Sequence, residues 1–235
     1  MRPLTVFGAV CLVVSITMAY PVTYTFEITH GSLGIDILPD GLLTPDPVEV
    51  PVGGTFTMTI NTSDNQIGEG DSFVLQNANI RNTEQVVLNI TPFLGGGTAT
   101  FPVGSAGVLG FNPVAPGQMP AGGAATIDTD VYVQGQVIVA GNPMANGTYS
   151  ASQWLNETFT IDVTFNPIPV QVGQPFNVTL GGTFSYTVYI PDINGGPELG
   201  QTLEVEARMI PEPALGGIIA MGVGGAGMRL RRRNG

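Results

Sequence analysis

The chain of 235 residues contains no lysine, and it has one cysteine, one histidine and one tryptophan; only 11% of its residues are charged. Each scarcity excludes some chemistry. Gly95-Gly96-Gly97-Thr98 has no lysine after its glycines, so it cannot serve as a phosphate loop. The single cysteine, Cys11, sits inside the first apolar run, so everything after it lacks disulfides, thiol nucleophiles and cysteine-based metal sites. One imidazole, His30, rules out a two-histidine metal site. Positive charge is nearly absent from the body. Arg2, Arg229, Arg231, Arg232 and Arg233 lie at the ends, leaving Arg81 and Arg208 against 17 acids (18 less Glu212), a net charge near −15. A field of that sign repels phosphate backbones, which excludes nucleic acid as a partner.

What is present at the ends concerns destination. Met1-Arg2 is a short positive start, Leu4 to Met18 an apolar run, and Thr17-Met18-Ala19 supplies small residues at a cleavage position. Residues 1–19 therefore read as a signal peptide cut after Ala19, which implies the Sec translocon and signal peptidase as partners. The run is short for a retained membrane span. At the other end Pro211-Glu212-Pro213 precedes an uncharged stretch, Ala214 to Met228, and then Arg229, Arg231, Arg232 and Arg233. As a helix the uncharged stretch reaches only about 22 Å, short of the ~30 Å hydrocarbon core. Six glycines make it a poor helix besides. The arginines would stay cytoplasmic and leave the body outside.

This order of Pro-Glu-Pro, apolar segment and terminal Arg cluster, over residues 210–235, resembles the PEP-CTERM sorting domain. The resemblance implies a tail recognised and cut by an exosortase, a membrane protease-transpeptidase of bacteria that make exopolysaccharide. It thus implies an exported protein of the cell surface, envelope or extracellular matrix, held at the membrane transiently through its tail.

Between the ends, hydrophobic residues recur with period two. Tyr24, Phe26 and Ile28 share one face; so do Phe56, Met58 and Ile60; Val86, Leu88 and Ile90; Ile127, Val131 and Val133; Phe159, Ile161, Val163 and Phe165; Phe176, Val178 and Leu180; Phe184, Tyr186 and Val188; and Leu203, Val205 and Ala207. No stretch keeps a helical period, and glycines and prolines, 33 and 19 in the whole chain, punctuate the runs. The pattern predicts an all-β chain: a single antiparallel β-sandwich over residues 20–209, of jelly-roll type. Gly104 to Gly123, rich in Gly and Pro, reads as a long surface loop. Val50, Val52, Gly53, Phe56 and Thr59 recur in type and spacing as Val170, Val172, Gly173, Phe176 and Thr179. Too little chain remains after them for a second domain, so the repeat reads as two similar strand entries.

Catalytic patterns are incomplete. Gly70-Asp71-Ser72 resembles the nucleophile block of GDSL-type hydrolases, but a serine there needs a downstream histidine, and His30 lies upstream. Asp128-Thr129 is followed by Asp130 rather than the Gly of an aspartic protease. Nothing selects a carboxylate pair suited to glycoside hydrolysis. The expectation is a structural or interaction protein and not an enzyme, with a carbohydrate-binding, lectin-like module on exopolysaccharide as the alternative. Trp154 is its candidate stacking residue, placed near Tyr149 in sequence. No cofactor is implied beyond calcium. Asp192, Asn194 and Glu198 gather oxygen ligands around Gly195-Gly196, and Asp64 to Asp71 is a similar cluster. Asp, Asn and Gly are also hairpin-turn residues, and that alternative stays open.

A calcium site at 192–198 predicts that calcium at 100 times its dissociation constant stabilises the fold by about 2.7 kcal/mol. Asp192→Ala removes that gain, and magnesium replaces it poorly. Thermal melts in EDTA, calcium and magnesium decide, and three identical curves leave a turn.

Overall fold

The computed structural model describes residues 20–36, 48–90, 95–119, 123–143, 146–155, 159–166, 169–187 and 198–210. The signal-like segment 1–19 and the tail from Pro211 onward lie outside them. So do Val188 and the side chains of Phe159, Ile161, Phe165, Phe184 and Tyr186.

β-Branched and aromatic residues alternating with Thr, Asn and Glu suit a half-buried pleated strand. Fourteen strands result, and no helix occurs among the described residues. They are β1 (Tyr20–Asp36), β2 (Val48–Thr62), β3 (Gln66–Ile67), β4 (Ser72–Asn82), β5 (Val86–Asn89), β6 (Thr98–Phe101) and β7 (Ala106–Pro113). Next come β8 (Gly117–Gln118), β9 (Gly123–Ala140), β10 (Gly147–Trp154), β11 (Phe159–Asn166), β12 (Val170–Gln171), β13 (Asn177–Thr187) and β14 (Glu198–Ile210).

All pairings are antiparallel, as the alternation predicts, but the sheet does not split into a sandwich. The order β9–β11–β13–β14–β1–β2–β4–β7 returns to β9 and closes an eight-strand barrel. The jelly-roll expectation is therefore corrected. Alternation specifies one buried face per strand, which both architectures satisfy; closure is decided by which edges meet, and period two does not encode that. The expected surface loop at 104–123 is corrected too. It contains β7, which contributes a wall of the barrel, and β8, which pairs with the start of β4. Outward positions carry polar residues such as Thr23, Thr59, Glu204 and Glu206, while the interior is apolar, the reverse of a membrane-spanning barrel.

The interior is organised around Phe26. Phe56 stacks on it at 5.3 Å between ring centroids, and Phe176 meets it edge-on, also at 5.3 Å. Tyr24 adds an edge contact to Phe176 at 5.5 Å, and its hydroxyl accepts a hydrogen bond from the Gly173 amide. The two similar sequence segments thus deliver their phenylalanines to one residue. Leu33, Met58, Ile60, Phe73, Leu75, Ile80, Phe101 and Val163 fill much of the remainder. Ile67 and Val170, paired in the small β3–β12 sheet, join the same core.

Long strands must bend to close. β4 does so at Asn77, which has φ 48°; Phe73 and Leu75 point inward before it, Ala78 and Ile80 after it, so the alternation slips by one residue. Gly54 and Gly107 flank β4 just beyond, with φ of 127° and 153°. A methyl group at Gly54 would overlap the carbonyl of Asn79, and one at Gly107 the carbonyl of Ile80. Where β4 ends, the buried Asn82 is paired at both polar atoms: its amide nitrogen donates to the carbonyls of Glu84 and Pro102, both at 2.8 Å, and its oxygen accepts from Ala106 N at 2.9 Å.

Phe56→Ala is expected to cost about 3–5 kcal/mol. Gly54→Ala should cost more than about 1 kcal/mol through strain and overlap. Thr179→Ala, on an outward face, should fall within about 0.5 kcal/mol. Urea unfolding measures all three; comparable losses for Phe56 and Thr179 would mean that the wrong face has been placed inward.

Candidate functional site

β9 is 18 residues long and serves two structures. Its first part, Gly123 to Thr129, pairs with β11, and Thr129 to Gly135 pairs with β7 on the other edge. Beyond that it carries β10 along Tyr132–Val139 on one edge and β6, itself paired with β5, near Ala140 on the other. Inward residues such as Val131 and Val133 keep to the core, so Tyr132, Gln134 and Gln136 face outward.

Trp154 ends β10 directly opposite Tyr132. The rings lie 5.2 Å apart at 45°, and the indole remains 46% exposed. On the other side of Tyr132 stands Gly110 of β7. A Cβ there would come within 3.2 Å of Trp154 Cη2 and 3.4 Å of Tyr132 Cβ. The missing side chain gives the indole its seat, reaching across β9 from β10. Leu109 is the extra residue at the bulge that brings Gly110 opposite Tyr132. The result is an aromatic surface fixed from below and open from above. Such a surface offers a flat apolar face with polar neighbours, suited to stacking against a ring that is itself apolar on its faces.

The structure departs from the sequence expectation in the partner of Trp154. Tyr149, not Tyr132, is its near neighbour in sequence, yet Tyr149 faces the core side of β10. Tyr132 and Gly110 were not anticipated. A readable sign existed for Tyr132, as an aromatic on the polar side of an alternating strand; its pairing with Trp154 required the register.

Other candidates separate. Asp64 accepts a bond from Gln66 N at 2.7 Å, and Asp71 from Gly68 N at 2.9 Å, so both carboxylates hold turns. No group of three or more metal-ligating side chains occurs among the described residues. Asp192 and Asn194 lie outside the described residues; Glu198 opens β14 opposite Thr187, and its side chain lies outside the described part. Pro211, Glu212, Pro213, Arg229, Arg231, Arg232 and Arg233 also lie outside. Ser72 takes its bond from Asn61 at 3.3 Å, while His30 is on β1 beside Glu206 at 3.8 Å, both exposed. β2 stands between those two strands, so the structure assembles no serine–histidine pair from them.

No protein-family model matches the chain, and no curated protein matches it.

Trp154 is the sole tryptophan, so its emission reports this site alone. Gly110→Val is expected to lift the indole off its seat, shift emission to the red and raise quenching by acrylamide. An unchanged spectrum would show that the indole does not rest there.

Proposed function

We propose that the chain is an exported protein of the bacterial cell envelope or extracellular matrix, sorted through its C-terminal tail by an exosortase-type enzyme. The observation that carries this is the order of Pro211-Glu212-Pro213, the uncharged segment Ala214 to Met228, and the cluster Arg229, Arg231, Arg232 and Arg233. The apolar segment would seat the tail at the membrane long enough for cutting, and the arginines would hold its end on the cytoplasmic side. A cleavable signal over residues 1–19 supports the same route. The body then acts as a structural or interaction module, which agrees with a sequence lacking lysine, a second histidine and any cysteine after Cys11.

A second reading is favoured by one specific observation. Trp154, half-exposed and seated on Tyr132 and Gly110, supports a carbohydrate-binding role for the barrel.

Intact-mass measurement of the protein from its native host tests the sorting proposal. The expected mature form lacks residues 1–19 and the segment containing Arg229 to Arg233. A mature form that retains those arginines would overturn processing by an exosortase.

A further inference from the structure

The outer face of the sheet that β9 carries beyond the barrel combines an exposed aromatic pair, an absence of charge and polar side chains left open for a ligand. Behind the Trp154–Tyr132 pair come Ser152 opposite Gln134, then Ser150 opposite Gln136. Ile138 is next, 38% exposed, in line with Thr100 of β6 and the half-exposed Val87 of β5. No acid or arginine occurs on β9 from Tyr132 to Ala140 or anywhere on β10. The face is thus neutral in a body with a net charge near −15, from two arginines and 17 acids, and it shares that neutrality with the adjoining β5–β8 segment.

Its polar side chains are also available for a ligand. On the wall formed by β1, β2 and β4, several outward polar groups are already bonded. Thr23 and Thr59 hydroxyls lie 2.8 Å apart, Thr57 donates to the Gln76 carbonyl at 3.1 Å, and Asn77 donates to the Thr57 hydroxyl at 3.2 Å. On the β9–β10 face, the side chains of Gln134, Gln136, Ser150 and Ser152 have no hydrogen-bonding partner among the described residues. Amides and hydroxyls both donate and accept, the combination that sugar hydroxyls require.

We propose that this face binds an extended, uncharged polysaccharide chain. One pyranose ring stacks on Trp154, and the next rings run along β9 over Gln134 and Gln136. The proposal rests on the carbohydrate-binding reading and deepens it, from one stacking residue to a linear site with a stated ligand class. Tyr132 and Gln136 are four residue steps apart, about 14 Å of strand, a length for an oligosaccharide rather than one ring. An anionic polymer is disfavoured because the acidic body repels it over the whole surface. Gly110, by leaving room for the indole, places the stacking ring at the start of the track. Asp130 on β9, paired with Asn112 of β7, limits the neutral window at that end.

Isothermal titration of the purified full chain with cello-, manno-, xylo- and chitohexaose, their disaccharides and polygalacturonate tests the proposal. At least one neutral hexasaccharide should bind more tightly than its disaccharide, and polygalacturonate should not bind. Trp154→Ala should weaken binding by about tenfold or more, with Trp154→Tyr restoring part of it. The pair Gln134→Ala and Gln136→Ala should weaken the hexasaccharide and leave the disaccharide unchanged. If Trp154→Ala abolishes binding while the Gln variants and ligand length make no difference, the stacking site stands and the extended track is overturned. If no neutral glycan binds, or polygalacturonate binds best, both fail. Loss of a dimer on Trp154→Ala, without competition by hexasaccharide, would assign the face to a second copy of the chain instead. Far-UV circular dichroism of each variant confirms that the comparison is between folded proteins.

Discussion

Every part of the structure depends on β9 hydrogen-bonding on both edges, with a different partner at each end. A strand left with one open edge exposes a row of unpaired backbone groups, and closing a barrel removes that exposure. Here closure runs through Gly123 to Gly135, where β11 and β7 take opposite edges. Because β9 is longer than the barrel needs, its remainder recruits β10, β6 and β5. Barrel and aromatic surface are therefore two uses of one strand. The register that aligns β7 for closure also places Gly110 beside Tyr132.

Inside, the barrel solves a packing problem with a few large side chains. Phe26 is contacted by Phe56 from β2 and by Phe176 at the entry to β13, strands on opposite flanks of the β1–β14 pair. Two similar stretches of sequence thus converge on one ring without any duplicated domain. Curvature is supplied where β4 turns, by Asn77 and by backbone approaches that Gly54 and Gly107 permit. Asn82 then ties the end of β4 to the entry of β7 with both amide hydrogens donated and its oxygen accepting, so that neither polar atom is left orphaned in the core.

Much of this was legible in the residues, and the losses have physical causes. Alternation assigned the inward faces of β2, of the first part of β13 and of β14 correctly, because Phe56, Val178 and Val205 sit in strands with one wet side. β4 offers no continuous alternation to read, because a bulge at Asn77 shifts the phase, and at 104–123 Gly and Pro suggest a loop but Ala106, Val108 and Phe111 pack inward as β7. Architecture was not legible, since a sandwich and a barrel share the same local pattern and differ only in non-local pairing. For the candidate site, Trp154 was visible as a rare residue. Tyr132 and Gly110 were not, because their relation to it is set by cross-strand register, and Tyr149 looked closer only along the chain.

β14 ends at Ile210, opposite Thr25, immediately before Pro211-Glu212-Pro213. It is laddered to β1 from Ile210 back to Gly200 and to β13 from Arg208 back to Glu198. The direction of a mechanical load entering at Ile210 therefore matters. A pull along the strand axis stretches both ladders together in shear, so many backbone bonds must give way at once. A pull across the sheet opens them one pair at a time, starting at the Thr25 end. Under the proposed attachment through the C-terminal tail, the barrel would be a clamp against axial tension and a zipper against sideways tension.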